Sequence, residues 1–198
     1  MAGVVVPYRG QRGKSRLSFP DAQRAELALA MLEDVLAAAS DLGRVVVVTA
    51  DPHAAAVVPE VVADPGGGQG AAVEAALALL PPDTLTLVVN ADLPCATLED
   101  LHALAVATPR DGLALVRARD GTTNALGLSS PTLFEPLYGP ASARRFRRHA
   151  AQLGLPCSDA CLPNLVDDVD TPEDLELVEA RVGRQTRTAL EALRVAAP

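Results

Sequence analysis

Lysine is nearly absent from this chain, which has sixteen arginines and a single lysine, Lys14. A compact ammonium on a flexible stem differs physically from a guanidinium fork. Retention of one lysine against so strong an arginine bias indicates that Lys14 has a task. Acidic residues outnumber basic ones by 25 to 17, and the net charge is −8. This balance argues against a nucleic-acid partner, since such proteins carry basic surfaces.

Cysteine and long apolar runs are scarce as well. The three cysteines give no disulfide framework, and Cys157 and Cys161 lack the second ligand pair of a zinc site. No apolar run is long enough to cross a membrane, so we expect no membrane partner. No basic region with a long apolar stretch opens the chain, and we therefore expect a cytoplasmic location.

The remaining composition is that of a globular protein. Of the 198 residues, 49% are hydrophobic and 21% charged, which is enough for a substantial core. We expect one domain over residues 1–198, with a core at about 4–180 and a helical tail at about 181–198.

Short apolar runs alternate with segments of helical periodicity along the chain, which predicts an α/β fold with a mainly parallel sheet. Thr97 with Asp100, and Thr171 followed by Pro172, are typical of helix starts. Predicted strands cover residues 4–7, 44–49, 61–62, 85–89, 112–117, 125–128 and 165–170, and predicted helices cover 20–39, 71–80, 98–107, 143–153 and a segment starting at Thr171.

Asp92 follows the apolar run 85–89 directly. In open α/β sheets, ligands bind beyond the carboxyl ends of the strands. Asp92 is therefore either a metal or substrate ligand or an ordinary loop acid. A late pair, Asp168 and Asp170, would project to the same side of an extended backbone. Two such carboxylates suit Mg²⁺, although one of them can instead be a capping group.

Two glycine-containing loops follow predicted strands. The loop at 8–17 is basic and can wrap a polyphosphate through backbone N–H groups and cations, although it lacks the spacing of a P-loop. The loop at 64–70 precedes a helix and can approach a ligand closely. Either loop can also be a plain surface loop.

Two polar segments are candidates for a second ligand. Ser142 is predicted as a helix N-cap, and the same position can form an anion site. The turn at 120–124 is either a simple hairpin or a set of hydroxyl and amide groups facing a substrate. The arginines at 144–148 are predicted to form a solvated helix face, with one or two as alternative phosphate contacts.

Five short motifs follow one another along the chain. They are Lys14-Ser15-Arg16-Leu17, Asn90-Ala91-Asp92-Leu93-Pro94, Gly121-Thr122-Thr123-Asn124-Ala125-Leu126, Gly139-Pro140-Ala141-Ser142 and Asp168-Val169-Asp170-Thr171-Pro172-Glu173-Asp174-Leu175. In this order they resemble the phosphoenolpyruvate and 2-phospho-L-lactate guanylyltransferases of coenzyme F-420 biosynthesis, over about residues 4–177. The last motif alone also occurs in related nucleotidyltransferases, such as those of the molybdenum cofactor.

The resemblance implies a single Rossmann-like, three-layer domain of the glycosyltransferase-A type. It also implies GTP as substrate and Mg²⁺ or Mn²⁺ as cofactor, held by Asp92, Asp168 and Asp170. Lys14, Arg16 and Asp92 would be catalytic. The nucleotide site would comprise Pro7, Arg9, Lys14, Arg16, Gly68, Gln69, Gly70, Asn90 and Ala91, and the acceptor site Thr122, Thr123, Asn124, Gly139 and Ser142.

The implied reaction transfers GMP from GTP to the phosphate of a small phosphorylated carboxylic acid, with phosphoenolpyruvate favoured over 2-phospho-L-lactate. It would be coupled functionally to the next transferase of the pathway, and the oligomeric state is left open. Where the family tends to have Leu-Asn this chain has Gln69-Gly70, and where it often has lysine this chain has Arg9, so guanine selectivity is also left open.

Two other functions are compatible with the motifs. One is nucleotidyl transfer to a different acceptor, such as molybdopterin or a sugar phosphate. The other is a non-catalytic GTP-binding module of the same fold.

Overall fold

The computed structural model describes residues 2–10, 14, 16–58 and 60–196. The basic loop predicted after the first strand therefore lies partly outside the described residues, at Gln11, Arg12, Gly13 and Ser15. All three cysteines are free, as predicted. Within the described residues, no helix is both long and apolar enough to span a membrane.

A seven-stranded mixed sheet in the order β3-β2-β1-β4-β6-β5-β7 organises the described chain. Only β6 runs against its neighbours, since it pairs antiparallel with β4 and β5, and every other pairing is parallel. The mainly parallel sheet confirms the predicted fold class. The strands are β1 (Ala2–Pro7), β2 (Gly43–Thr49), β3 (Val61–Ala63), β4 (Thr86–Val89), β5 (Leu113–Arg117), β6 (Thr123–Leu128) and β7 (Cys157–Asp159).

Helices cover both faces of this sheet. The residues of β1 alternate between two hydrophobic clusters, with Val4 and Val6 in one and Val5 in the other, because successive side chains of a strand point to opposite faces. Burial on both faces explains the continuous apolar strands. The helices are α1 (Asp21–Ala39), α2 (Pro52–Val57), α3 (Gln69–Leu77), α4 (Leu98–Ala107), α5 (Ser142–Gln152), α6 (Pro172–Val178) and α7 (Arg184–Ala196).

Side-chain caps fix several of the helix starts. Thr97 and Thr171 each form a capping box with the acid three residues later, as predicted for Thr97. The predicted N-cap at Ser142 is wrong. Ala141 occupies the cap position with a φ of 56°, and Ser142 is the first helical residue. Its hydroxyl donates to Thr123 Oγ1 at 3.1 Å instead of capping the helix.

The strand predicted over residues 165–170 is also wrong. A short 3-10 helix covers Pro163–Leu165, and the following residues are irregular. The sheet position beside β5 is taken by β7, a strand that the polar segment around Cys157 did not reveal. Helix α2 was missed too. Asp51 followed by Pro52 is a typical helix start, and in the structure the Asp51 side chain caps the helix by accepting from His53 N.

The chain beyond residue 181 packs against α1. Helix α7 buries Leu190 and Leu193 in the larger cluster. Asp34 of α1 accepts hydrogen bonds from the backbone N–H groups of Gln185 and Thr186, both at 2.9 Å. These bonds satisfy N–H groups of the first turn of α7 and fix the helix to the core.

Candidate active site

Three aspartates from two distant segments meet beyond the carboxyl end of β4. Asp92 follows β4, and Asp168 and Asp170 lie in the irregular segment before α6. One carboxylate oxygen of each lies within 4.8 Å of the others. The Val169 N–H donates to Asp92 O at 3.1 Å, and this backbone bond holds the two segments together. The structure thus joins the residues that the sequence singled out separately.

The lone lysine inserts between two of these carboxylates. Lys14 Nζ donates to Asp92 Oδ2 at 2.7 Å, to Asp170 Oδ1 at 2.9 Å and to Val169 O at 2.6 Å. The residue is only 6% exposed. Burial alone would lower the pKa of Lys14, but the charges and hydrogen bonds of Asp92 and Asp170 outweigh it and raise the pKa. Lys14 is therefore an ammonium cation inside the aspartate cluster.

The cluster retains acceptor capacity beyond its bonds to Lys14. Asp92 Oδ1 is buried and has no hydrogen-bond partner among the described residues. Burial and the nearby Asp92 charge raise the pKa of Asp168 to about 6. A buried oxygen without a donor and carboxylates crowded together are costly unless a cation lies close. Oxygen ligands of this kind fit a divalent metal such as Mg²⁺.

Asn124 positions one member of the cluster. Its amide nitrogen donates to Leu165 O at 3.1 Å, to Val166 O at 3.0 Å and to Asp168 Oδ1 at 3.3 Å. The residue is 1% exposed. These bonds hold the segment before α6 against the start of β6, so that Asn124, predicted to bind the acceptor, supports the aspartate cluster.

Arg16 lies at the outer side of the cluster. Its guanidinium pairs with Asp170 Oδ2, and its side chain is 67% exposed. Lys14 and Arg16 therefore approach the same carboxylate from the buried and the exposed side. An exposed guanidinium at this position can reach a phosphate at the mouth of the site.

A cavity of about 280 Å³ opens beside the cluster and runs along the ends of β1 and β4. Its lining contains Lys14, Asp92 and Asp170 at one end. It also contains most of the side chains predicted to bind the nucleotide, namely Pro7, Arg9, Lys14, Gln69, Asn90 and Ala91.

The glycines predicted to bind the nucleotide border this cavity without lining it. Gly68 has a φ of 98°, which L side chains rarely adopt, and a Cβ there would lie 3.4 Å from the Arg9 guanidinium. A Cβ on Gly70 would lie 2.5 Å from Pro136 Cβ. At Gly70, where the chain departs from the family pattern, a side chain would therefore clash with Pro136. Gln69 Nε2 donates to Asn90 Oδ1 at 2.7 Å, which ties α3 to the end of β4.

The predicted acceptor residues lie near the N-terminus of α5. Thr123 and Ser142 are buried and hydrogen-bonded to each other. Gly139 adopts a φ of 108°, and its carbonyl accepts from Ser142 N at 3.0 Å. Thr122 is bound to Asp120 through its hydroxyl and its N–H. Asn90 Nδ2 donates to Thr123 O at 3.4 Å, so this region adjoins the end of β4.

Several cavity residues were missed by the sequence reasoning. Tyr8, Ala28, Met31 and Val48 line the cavity without a chemical motif that would have revealed them. Asp64 also lines it, and here a signal existed. Asp64 is an acid directly after the short strand β3 and before a glycine-rich loop, and it thus lies beyond the carboxyl end of a strand, as Asp92 does after β4.

Comparison with known proteins decides the family. Residues 2–197 match the family described as "Guanylyl transferase CofC like". The chain belongs to this family. The resemblance inferred from the motifs is thereby confirmed, and the protein is a nucleotidyltransferase of the guanylyl-transferring kind.

Relatives in the guanylyltransferase family are named for three acceptors. A phosphoenolpyruvate guanylyltransferase of Sphaerobacter thermophilus is 37% identical, over 87% of this chain and 89% of the relative. A 3-phospho-D-glycerate guanylyltransferase of Phenylobacterium zucineum is 34% identical, over 98% and 97%. A 2-phospho-L-lactate guanylyltransferase of Natrialba magadii is 35% identical, over 92% and 85%.

Solved structures share the fold of this guanylyltransferase. A protein named as a putative nucleotide-diphospho-sugar transferase, from Desulfovibrio desulfuricans G20, superposes with a TM-score of 0.74 at 16% identity, over 98% of this chain and 96% of the other. A nucleotidyl transferase from Methanothermobacter thermautotrophicus gives 0.66 at 17% identity, over 97% and 99%. These likenesses confirm the predicted architecture.

Proposed function

We propose that the protein transfers GMP from GTP to the phosphate of a small phosphorylated carboxylic acid, with phosphoenolpyruvate favoured, and releases pyrophosphate. The observation that carries this proposal is the aspartate cluster around Lys14 at one end of the cavity. Polyphosphate chemistry needs cations around the phosphates and carboxylates to hold a metal, and the site contains both kinds of group in contact.

The reaction needs no general base. A phosphate monoester carries about 1.5 to 2 negative charges near neutral pH, so its oxygen is already a nucleophile. That oxygen forms a bond to the α-phosphorus of GTP, the bond from the α-phosphorus to the bridging oxygen breaks, and pyrophosphate leaves with the electron pair. Catalysis then rests on positioning and on charge neutralisation.

Asp92, Asp168 and Asp170 are the residues that would hold Mg²⁺ or Mn²⁺. A metal bound there would supply Lewis-acid polarisation of phosphoryl oxygens. Lys14 pairs with one oxygen each of Asp92 and Asp170, and Asp92 Oδ1 has no partner among the described residues. The Lys14 ammonium, together with Arg16, would neutralise charge growing on the leaving pyrophosphate.

The acceptor would be held on the other side of Asn90–Asp92. The N-terminus of α5 is the positive end of the helix dipole, which favours an anion. Thr123 and Ser142 lie at that helix end. We assign the acceptor phosphate to this position, with Thr122, Gly139 and Asn124 shaping its surroundings. The product would be a phosphoric anhydride suited to the next transferase of coenzyme F-420 biosynthesis.

The decisive experiment measures pyrophosphate release from GTP with phosphoenolpyruvate, 2-phospho-L-lactate or 3-phospho-D-glycerate, each with Mg²⁺ and with EDTA. We expect Mg²⁺-dependent release with at least one acid, and fastest with phosphoenolpyruvate. Release only with molybdopterin or a sugar phosphate would replace the proposed acceptor. GTP binding without release for any acceptor would instead identify a non-catalytic module.

A further inference from the structure

Asp64 is the one carboxylate lining the cavity that the aspartate cluster does not use. The other acids in the lining, Asp92 and Asp170, both contact Lys14. Asp64 follows β3, and its N–H donates to Thr49 O at 3.2 Å, which continues the pairing of β3 with β2. The residue is thus fixed at the edge of the sheet on which the site is built.

The Asp64 carboxylate is oriented by the loop that follows it. Its Oδ1 accepts from Gly66 N at 2.8 Å, which leaves the second oxygen available to the cavity. Gly66, Gly67 and Gly68 all have φ between 80° and 98°, a region that favours glycine. This run carries the chain without side chains from Gly66 to the start of α3 at Gln69, so a flat ligand can approach the backbone closely.

The distance between Asp64 and the aspartate cluster suits a nucleotide. Three strand intervals separate β3 from β4 in the sheet, which corresponds to about 14 Å at the usual strand spacing. A nucleoside monophosphate that is extended along the strand ends spans a comparable length. Val48, Ala72, Met31 and Ala28 line the cavity with apolar surface, which suits the faces of a purine.

We propose that Asp64 reads the guanine base, accepting hydrogen bonds from its N1–H and 2-amino groups. This inference rests on the proposed use of GTP. Guanine presents donors at N1 and N2 next to the O6 acceptor. The first N–H groups of α3, at Gln69 and Gly70, directly follow the glycine run and would complement O6. Adenine presents an acceptor at N1 and a donor at N6, so both contacts would be mismatched.

The test is a binding comparison of GTP with inosine 5′-triphosphate, which lacks only the 2-amino group. Titration calorimetry with Mg²⁺ and without acceptor avoids turnover. We expect the wild-type protein to bind GTP about 10- to 100-fold more tightly than the inosine nucleotide, because a hydrogen bond to a charged group is lost. In Asp64→Asn the ratio should fall to near 1, since the amide still accepts from Gly66 N–H but lacks the charge.

A second variant and a matched control complete the design. Asp64→Ser keeps a small side-chain oxygen and should also remove the preference for GTP over the inosine nucleotide. Asp83→Asn makes the same charge change in an exposed turn before β4. This turn lies at the amino-terminal end of β4, away from the cavity, so the variant should keep the wild-type ratio. Asp64→Asn should in addition gain affinity for xanthosine 5′-triphosphate, whose C2 carbonyl accepts from an amide.

The outcomes separate this inference from the proposed function. Equal wild-type affinity for GTP and the inosine nucleotide, or an unchanged ratio in both Asp64 variants, would overturn the role of Asp64 while leaving GMP transfer intact. If the wild-type protein binds no GTP at all, the proposed function itself fails.

Discussion

Asp167 and Asp168 are neighbours in the chain and have opposite surroundings. Asp167 is 6% exposed and accepts from Arg119 and from Arg181, the latter at 2.9 Å. Burial alone would raise the pKa of Asp167, but the two guanidinium groups lower it. Asp168 faces Asp92 and Asp170 and contacts the amide of Asn124, and its pKa is raised to about 6.

The difference separates an acid that is held by basic partners from one that is crowded by other acids. A buried carboxylate that is paired on both oxygens is stabilised within the fold, and removing one partner is costly. A carboxylate crowded by other carboxylates is destabilised until a cation arrives. Asp167 therefore stabilises the position of the segment before α6 through its two arginine partners. Asp168 leaves a carboxylate in the aspartate cluster that can bind a cation. Four experiments test this division.

The largest contrast is in turnover. We expect Asp168→Asn and Asp92→Asn to lower GTP- and acceptor-dependent pyrophosphate release by about 10³-fold or more, because several kcal/mol of transition-state stabilisation depend on the metal. Asp167→Asn should stay within a few-fold of the wild-type rate. Circular dichroism checks that the variants remain folded, and near-normal release by Asp92→Asn would remove the aspartate cluster from the mechanism.

The next effect concerns the cation already inside the cluster. In Lys14→Met the carboxylates lose the competing ammonium, so Mn²⁺ should bind the nucleotide-free protein about tenfold more tightly or better. Electron paramagnetic resonance titration measures free Mn²⁺ directly. Lys14→Arg keeps the charge and serves as the control, with affinity close to wild type. Pyrophosphate release should fall in both variants, and unchanged Mn²⁺ affinity in Lys14→Met would contradict the competition.

A smaller effect is expected in stability. Asp167→Asn removes a charged acceptor from Arg119 and Arg181, whose side chains are 64% and 38% exposed. Solvent screening reduces the loss, and we expect the free energy of unfolding to fall by about 1–2 kcal/mol. Urea denaturation measures it, with Asp120→Asn, in an exposed turn, as the reference. No loss of stability would mean that Asp167 does not fasten the segment.

A stability effect of comparable size is a pH dependence of opposite sign for the two acids. Between pH 3.8 and about 6, folded Asp168 binds more protons than unfolded Asp168, so its contribution to stability falls as pH rises. Asp167, with its lowered pKa, contributes stability that is lost as pH falls below its ordinary range. In EDTA, wild type should lose about 1–3 kcal/mol relative to Asp168→Asn between pH 4 and pH 7. A constant difference would contradict the raised pKa.

The elements best predicted from the sequence were those with strong local signals. The buried runs at β1, β2 and β4 and the capping box at Thr97 depend on short-range patterns. Segment 165–170 was predicted as a strand end, but the bonds from Asn124 and to Asp92 O hold it in an irregular path. Those bonds cross 41 or more positions of sequence, and no local pattern contains them.

The candidate site was predictable as far as its motifs reached. Asp92, Asp168, Asp170 and Lys14 were identified singly, and the structure brings them into contact. The apolar lining of the cavity was not predictable, because Val48 and Met31 are indistinguishable in sequence from ordinary core residues. The role of Asn124 also depended on knowing which carbonyl groups lie opposite its amide.

Because β6 runs antiparallel to its neighbours, the end of the sheet that carries the candidate site is formed by two kinds of strand ends. On the side of the proposed nucleotide site, strands β1 to β4 present their carboxyl ends, whereas β6 brings its amino-terminal residues, Thr123 and Asn124, to the same end of the sheet. A short hairpin joins β5 to β6 there. The proposed acceptor position therefore confines acceptor choice to a single hairpin and the helix start that it meets, where it can be engineered apart from the parallel strands.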